Sequence, residues 1–172
     1  MAKDIKVGIV MGSDSDLSIM AEAGTILEEF DVSYEITVAS AHRSPEIVHK
    51  YTTDAKTRGL KVIVAGAGGA AHLAGVMASL TTLPVIGIPI KTKNFDGLDS
   101  LLSTVGMPAG VPVATVGINA GKNAGLLAIQ ILATNNKNLE NKLIAYKEKM
   151  NGEIKIKGEK LSKIGFKKYL KK

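Results

Sequence analysis

A histidine and an arginine stand side by side within residues 40–45 (SAHRSP), and this pair gives the chain its clearest chemical signal. His42 can give or take a proton near neutral pH, where an imidazole titrates. Arg43 carries a planar guanidinium whose N–H donors suit a phosphate, and Ser40 and Ser44 add further donors. We interpret the segment as part of a binding or catalytic site, with a solvated loop as the alternative.

Two other segments have residue types that suit a ligand. In residues 12–16 (GSDSD), the serine hydroxyls and the N–H groups of an opening helix can bind an anion. Asp16 can accept hydrogen bonds from a ribose or cap the helix, and both interpretations stay open. Residues 65–73 (AGAGGAAHL) have so little bulk that backbone N–H groups can approach a ligand, although tight strand–helix packing would use the same residues. His72 is equally consistent with a ligand contact and a helix start.

Several kinds of site are not expected from this sequence. There is no cysteine, so disulfides, thiolate metal sites and a cysteine nucleophile are excluded. His42 and His72 lack the acidic or cysteine partners that metal-ligand spacing requires, so we expect no catalytic metal. The patterns G-x-x-x-x-G-K-[ST], G-x-G-x-x-G and G-x-S-x-G are absent. Hydrolysis of a nucleotide triphosphate, a dinucleotide cofactor and a nucleophilic serine are therefore not expected.

Short apolar runs alternate with helical patterns along most of the chain. The apolar runs predict five strands, at residues 6–11, 34–39, 61–65, 84–90 and 113–118. Apolar residues at helical spacing predict helices at residues 16–30, 45–58, 72–81, 98–105, 123–134 and 139–150. Strands that alternate with helices form a parallel sheet covered on both faces. With right-handed crossovers we expect a three-layer α/β fold, with a flavodoxin-like five-stranded sheet of order 2-1-3-4-5 and a C-terminal helix.

The predicted strand order brings the unusual residues together. In an open parallel sheet, ligands bind beyond the carboxyl ends of the strands, at the point where the strand order reverses. With order 2-1-3, that point lies between strands 1 and 3. The loops after the first three strands converge there, at residues 12–16, 40–45 and 66–72. We therefore place the site at this edge of the sheet.

The positive charge of the chain is concentrated near its C-terminus. The formal net charge is +6, and residues 151–172 alone hold eight Lys and two Glu, whereas residues 1–150 hold 14 Lys and Arg against 14 Asp and Glu. We predict one catalytic domain over residues 1–150 and a flexible, Lys-rich extension over residues 151–172.

A neutral domain argues against nucleic-acid binding, and no apolar run reaches the roughly 20 residues of a membrane span. With no signal peptide recognisable, we expect a cytoplasmic protein.

The three loop segments together resemble those of the class I N5-carboxyaminoimidazole ribonucleotide mutase family, also called the catalytic subunit of phosphoribosylaminoimidazole carboxylase. The resemblance continues along the chain, through residues 83–89 (LPVIGIP), 97–112 (which include MPAGVP) and 123–134 (NAGLLAIQILAT). It covers about residues 6–150. Three motifs in the same order and at matching separations make the resemblance specific.

This resemblance implies an enzyme of purine (IMP) biosynthesis that converts N5-carboxyaminoimidazole ribonucleotide into 4-carboxy-5-aminoimidazole ribonucleotide. The family releases CO2 from the 5-amino group and adds it to ring carbon C4, and His42 matches the residue that moves the proton. By the same match, Arg43 and the serines hold the phosphate, and Asp16 holds the ribose. Family members need no metal or other cofactor. They assemble as homo-octamers, in which neighbouring subunits contribute residues to each site. The positions that match substrate contacts are Ser13, Ser15, Asp16, Ser40, Ala41, Arg43, Gly68, Gly69, Ala70, His72 and Leu73.

Two features depart from the family pattern. Ala74 follows His72 and Leu73 where the family usually has proline, and losing that constraint on φ should loosen the loop. The Lys-rich tail has no assigned match in the family core.

Two alternatives to the mutase function stay open. One is direct carboxylation of aminoimidazole ribonucleotide with CO2, as in class II relatives, whose third loop is of an Arg-Ser-Asn type where this chain has GGAAH. The other is a non-catalytic module such as a flavodoxin or a receiver domain. Against the second, only 4% of the residues are aromatic, and strand 3 ends in Ala65 and Gly66 rather than in an aspartate.

Overall fold

The computed structural model describes residues 4–170 and contains one five-stranded parallel sheet. The strands are β1 (Val7–Met11), β2 (Tyr34–Val38), β3 (Val62–Gly68), β4 (Val85–Ile90) and β5 (Ala114–Thr115). The helices are α1 (Leu17–Glu29), α2 (Pro45–Ala55), α3 (Leu73–Leu80), α4 (Leu98–Val105), α5 (Gly121–Ala133), α6 (Lys137–Ile164) and α7 (Phe166–Tyr169). All neighbouring strands are parallel and their order is β2-β1-β3-β4-β5, which confirms the predicted flavodoxin-like fold.

The central strands are buried on both faces, which explains their unbroken apolar sequences. Every residue of β1 and β4 is buried, and so are the first five residues of β3. Strand β2 lies at an edge of the sheet and is only partly buried. Helix α1 turns one face to this core, with buried residues that recur at helical spacing: Met20, Ala23, Gly24, Ile26 and Leu27.

Three strands lie within one residue of their predicted bounds, and the other two, β3 and β5, differ by more. Strand β3 continues to Gly68, three residues past its predicted end, because its last three residues pair with the last three residues of β4. Strand β5 contains only two of the six residues predicted at 113–118, since only two residue pairs join it to β4. The chain turns soon afterwards at Asn119, where φ is +55°. The longer β3 carries its glycines directly to the carboxyl edge of the sheet.

A second compact unit begins at Ala133 and contains α6 and α7. The side chain of Asn136 caps α6 by accepting hydrogen bonds from two N–H groups of the first turn, both at 3.1 Å. The helix predicted over residues 139–150 runs on to Ile164 and ends at Gly165, where φ is +73°. None of the helices within residues 4–170 is both long enough and apolar enough to cross a membrane.

The chain divides into two compact units between Leu132 and Ala133. The single catalytic domain expected over residues 1–150 stays a prediction. The composition does change after Met150, but Lys, Glu, Ile and Leu all suit a helix, so α6 continues through the change. The flexibility predicted for residues 151–172 stays a prediction.

Helix α5 approaches α1 closely at two glycines. A Cβ atom on Gly121 would overlap the backbone carbonyl oxygen of Ile19, and a Cβ atom on Gly125 would lie 2.8 Å from the carbonyl oxygen of Ala23. Backbone atoms cannot move aside as the end of a side chain can, so both positions require glycine. The contact fixes α5 against the helix that follows the first loop of the predicted site.

We expect Gly121→Ala to lower the free energy of unfolding by about 1–3 kcal/mol, the usual cost of forcing an extra methyl group into a packed contact. Gly158→Ala is the matched control, because Gly158 lies within α6 and has open space where a Cβ would stand. Alanine there should leave stability unchanged or raise it by up to about 1 kcal/mol. Urea denaturation measures both variants, and wild-type stability in Gly121→Ala would contradict the close contact.

Candidate functional site

A cavity of about 420 Å³ opens at the carboxyl ends of β1 to β4. It brings together eleven of the twelve residues that the sequence assigned to a site, and Gly69 alone is not among its walls. The lining residues are Gly12, Ser13, Ser15, Asp16, Ser40, Ala41, His42, Arg43, Ala67, Gly68, Ala70, His72, Leu73, Ile90, Lys91 and Thr92.

The strand register brings the first three loops to one level. Met11, the last residue of β1, pairs with Val38 of β2 and with Gly66 of β3. Just past the paired residues of these strands, the N–H of Gly12 donates to the carbonyl oxygen of Gly66 at 3.0 Å. The N–H of Ala39 likewise donates to the carbonyl oxygen of Met11 at 2.9 Å. The three loops therefore leave the sheet at the same edge, where their side chains can meet.

The first loop is a short 3-10 turn over Asp14–Asp16 that leads into α1. The Ser13 hydroxyl oxygen accepts the N–H of Ser15 at 3.4 Å, and the Ser15 hydroxyl donates to the Asp16 carboxylate at 3.1 Å. Asp16 stands at the N-cap position of α1, yet its side chain makes no capping hydrogen bond. It lines the cavity instead, which favours the ligand interpretation over the helix cap.

Asp16 is a carboxylate held largely away from water, with 8% of its surface exposed. Burial raises the pKa of Asp16, and the hydrogen bonds from Ser15 and Ser13 and the charge of Arg43 only partly oppose that rise. An ionised carboxylate in this position is costly to the folded protein. A ligand with hydroxyl donors would satisfy its oxygens, as a ribose diol does.

The second loop is tied to the first by Arg43. Its Nη2 donates to the carbonyl oxygen of Gly12 at 2.7 Å, and its backbone N–H and Nε approach the hydroxyl oxygen of Ser40 at 3.3 and 3.4 Å. Ser44 closes the turn, since its hydroxyl oxygen accepts the N–H of Ser40 at 3.1 Å. A guanidinium has five N–H donors, so these bonds leave others for an anion in the cavity.

The second and third loops meet at a pair of imidazoles. Nε2 of His42 and Nδ1 of His72 lie 2.8 Å apart, and the two rings stand edge to face at 81°. One nitrogen must donate and the other accept, so the tautomer of each ring depends on its partner. His72 is the N-cap residue of α3 but makes no capping hydrogen bond through its side chain. Its side chain therefore serves the cavity rather than the helix start.

The third loop depends on its glycines. Gly69 has a φ of +66°, a conformation that favours glycine, and a Cβ there would meet nothing within 4 Å. A Cβ on Gly68 would lie 3.1 Å from Cγ2 of Thr92, so this glycine lets the loop after β4 approach β3. The wall between His42 and the end of β4 is thus built mainly of backbone.

Sequence reasoning missed the contribution of β4. Ile90, Lys91 and Thr92 line the cavity beyond the end of this strand, although only the first three loops were assigned to the site. The predicted order 2-1-3-4-5 could have indicated this contribution, because it places β4 next to β3, with its carboxyl end at the same edge of the sheet. The loop is held by the Asn119 side chain, whose Oδ1 accepts the N–H of Lys91 at 2.8 Å.

The chemical groups of the cavity suit an organic anion with hydroxyl groups. They comprise serine hydroxyls, one carboxylate, a guanidinium, an ammonium group and two imidazoles. Across residues 4–170, no three His, Asp or Glu side chains converge in a way that would hold a metal ion. Fold and cavity together define a doubly wound α/β protein with a cavity where its strand order reverses, the position at which such folds bind small molecules.

Comparison with known proteins places this chain in a family. The model of the AIR carboxylase family matches residues 6–153. The N5-carboxyaminoimidazole ribonucleotide mutase of Thermotoga maritima is 56% identical over 165 residues, which cover 96% of each chain. That of Pyrococcus horikoshii is 56% identical over 164 residues, which cover 95% of this chain and 93% of the relative. The chain belongs to the AIR carboxylase family, which confirms the resemblance drawn from its loops.

Longer relatives and a solved structure agree with this assignment. The phosphoribosylaminoimidazole carboxylase of Candida glabrata is 51% identical over 164 residues, which cover 95% of this chain but 29% of that protein. A crystal structure of Treponema denticola PurE has a TM-score of 0.81 and 29% identity, with coverage of 92% of this chain and 97% of that chain. The family domain therefore occurs both as a whole chain and as part of a larger protein.

We expect Asp16→Asn to raise the free energy of unfolding at pH 7. The pKa of Asp16 is higher in the folded protein than in the unfolded chain. Between these two pKa values the folded protein therefore binds more protons than the unfolded chain does. The carboxylate therefore destabilises the fold above the folded-state pKa, and the penalty disappears below the unfolded value of about 3.9. The advantage of asparagine should shrink accordingly on acidification.

Urea denaturation at pH 7 and at acidic pH measures this difference, with Asp14→Asn as the control for an exposed carboxylate of the same turn. An Asp16→Asn variant that is less stable than wild type at pH 7 would show that the ionised carboxylate supports the fold.

Proposed function

We propose that this chain is an N5-carboxyaminoimidazole ribonucleotide mutase, which forms 4-carboxy-5-aminoimidazole ribonucleotide in purine (IMP) biosynthesis. The observation that carries the proposal is the pair His42 and His72, whose Nε2 and Nδ1 atoms lie 2.8 Å apart. The pair lies beside small residues, in a cavity whose side chains can bind a phosphate. Relatives with that name, 56% identical across nearly the whole chain, support it.

The binding groups divide the ligand into two parts. Arg43, Ser13 and Ser15 lie around the ends of β1 and β2, where an anionic phosphate would receive charge-assisted hydrogen bonds. Asp16 lies in the same loop and would accept hydrogen bonds from the ribose hydroxyls. The base then extends toward His42 and His72, between the second loop with Ser40 and Ala41 and the third loop with Gly68, Ala70 and Leu73.

The chemistry moves a carboxyl group in one direction and a proton in the other. The bond between N5 and the carboxyl carbon breaks, its electron pair stays on N5, and protonated His42 supplies a proton there. Ring carbon C4 then attacks the released CO2, and the proton on C4 passes to His42. The imidazolium is restored, so one residue closes the cycle without an external acid or base.

The surroundings of His42 support this role. His72 holds one of its nitrogens by a short hydrogen bond, which fixes the ring and links its tautomer to that of its neighbour. Residues 66–71 of the third loop, which are all Gly or Ala, offer only backbone and methyl groups to the reacting carbon. Such a wall keeps CO2 close to C4 and excludes water, so the second bond forms within one encounter.

The proposal includes an oligomer. By the family resemblance this oligomer is a homo-octamer, and the protein is cytoplasmic. Leu98, Leu102 and Val105 lie along one face of α4, and each is more than half exposed. Contact with a second copy of the chain would remove this apolar stripe from water, which would stabilise an assembly. Light scattering tests the assembly: a mass eight times that of the chain supports the octamer, and a monomer contradicts it.

Turnover of the N-carboxylated ribonucleotide tests the proposed reaction. We expect rapid formation of the C4-carboxylated product from this substrate, and much slower formation from aminoimidazole ribonucleotide with bicarbonate. Equally efficient use of the second pair of reactants would instead identify a direct carboxylase.

We expect His42→Asn to abolish turnover while leaving product affinity within about threefold of wild type. Asparagine keeps a polar side chain but cannot exchange a proton near pH 7. His49→Asn is the matched control, because His49 is exposed on α2 outside the cavity. Steady-state kinetics and isothermal titration calorimetry measure the two properties. Parallel loss of turnover and affinity would point to a positioning role for His42.

We expect Arg43→Ala to raise KM by about tenfold or more, because a hydrogen bond to a charged group contributes roughly 1.5–3 kcal/mol. Arg58→Ala is the control: Arg58 pairs with Glu35 at 2.7 Å outside the cavity, so its loss should leave KM unchanged. The measurement is KM for the N-carboxylated ribonucleotide. An unchanged KM in Arg43→Ala would remove the phosphate assignment.

A further inference from the structure

We propose that Lys91 binds the carboxylate of the substrate and product, and thereby distinguishes both from the decarboxylated intermediate. The inference rests on the proposed mutase function and assigns a specificity-determining residue to the same cavity. It is drawn from the β4 edge, which none of the three sequence motifs includes.

Lys91 lies where the carboxyl-transfer part of the ligand must be. It follows the last residue of β4, and that residue pairs with Gly68 of the bare third loop. A Cβ on Gly68 would lie 3.1 Å from Cγ2 of Thr92, so the β4 loop and the third loop are in close contact. Both loops line the cavity together with His42 and His72. Lys91 therefore borders the reaction centre rather than the phosphate end.

Arg43 and Lys91 lie at different strand ends of the cavity. Arg43 bonds to the carbonyl oxygen of Gly12, at the end of β1, whereas Lys91 follows β4. Strands β1 and β4 are two strand spacings apart, which is roughly 10 Å. A mononucleotide with a carboxylated base likewise carries its two anionic groups at opposite ends. Arg43 matches the phosphate, and Lys91 matches the carboxylate.

The third loop cannot neutralise a carboxylate by itself. Its residues 66–71 are all Gly or Ala, so it offers backbone N–H groups and no formal charge. Among the described residues that line the cavity, Arg43 and Lys91 are the two Lys or Arg side chains. The proton of His42 is transferred during the reaction, and Arg43 is committed to the phosphate, so Lys91 is the side chain left with a lasting positive charge to balance the second anionic group.

The current partner of Lys91 is easily exchanged. Its Nζ lies 2.8 Å from Oδ1 of Asp96, and both side chains are more than half exposed. Exposed ion pairs contribute little to stability, so a carboxylate in the more enclosed cavity can replace Asp96 as the partner. The backbone of Lys91 stays in place meanwhile, because Asn119 holds its N–H.

This arrangement predicts a binding preference that depends on the carboxylate. The substrate and product carry it, whereas aminoimidazole ribonucleotide has the same phosphate, ribose and ring without it. Loss of Lys91 should therefore weaken binding of the carboxylated product and leave binding of aminoimidazole ribonucleotide unchanged. A residue that only supports the fold would affect both ligands alike.

The test is isothermal titration calorimetry of the full chain with 4-carboxy-5-aminoimidazole ribonucleotide and with aminoimidazole ribonucleotide. We expect Lys91→Gln to raise the Kd of the first about tenfold and to leave the Kd of the second within twofold. Lys93→Gln is the matched control, since Lys93 is exposed in the same loop but does not line the cavity. It should change neither Kd.

Equal weakening of both ligands by Lys91→Gln, or no weakening of the carboxylated one, would overturn the proposal. Asp96→Asn gives a second test, because asparagine tolerates the φ of +51° at this position and cannot pair with Lys91 as a charge. It should tighten binding of the carboxylated product, and failure to do so would contradict the exchange of partners. A wild-type chain that binds neither nucleotide would refute the mutase function itself, which separates the two outcomes.

Discussion

The geometry of the site depends on one constraint: the register that aligns the ends of β1, β2 and β3 along the sheet. Met11 pairs with Val38 on one side and with Gly66 on the other, so β1, β2 and β3 release their loops at the same height. Two backbone hydrogen bonds just beyond the ladder keep that alignment. A shift of one residue in either register would turn the side chains of that strand to the opposite face of the sheet. The contact between His42 and His72, and the bond from Arg43 to Gly12, both require the observed register.

The site also has features that would not be expected if this edge of the sheet served only to stabilise the fold. Asp16 is buried although burial raises its pKa, and Gly69 holds a backbone conformation that other residues rarely adopt. Neither feature stabilises the fold: Asp16 lines the cavity, and the turn at Gly69 joins Gly68 to Ala70, which both line it. Such local conflicts are concentrated at functional sites, where binding and chemistry offset them. The rest of this sheet follows ordinary packing rules, with apolar strands covered by helices.

Much of this structure could be predicted from the sequence, because the signals were local and mutually consistent. Alternating apolar runs and helical periods predicted a parallel sheet, and right-handed crossovers favoured the order 2-1-3-4-5. That order placed the loops of His42 and His72 beside the first loop, at one edge of the sheet. The contact between these imidazoles was not predictable, since it depends on the path of two loops. The β4 contribution of Lys91 was missed because its sequence reads as an ordinary strand end. The continuation of α6 past Met150 was missed because a change in charge was taken for a change in structure.

In the proposed reaction, the carboxyl group moves between two atoms of one bound nucleotide inside the cavity. The most direct measurement supplies N5-carboxyaminoimidazole ribonucleotide with carbon-13 in its carbamate, in buffer that contains excess unlabelled bicarbonate, and determines the label in the product by mass spectrometry. Retention of most of the carbon-13 in the C4 carboxylate is the result that this account predicts. Product with the isotopic composition of the bicarbonate would show that the carbon comes from solution, and would contradict it.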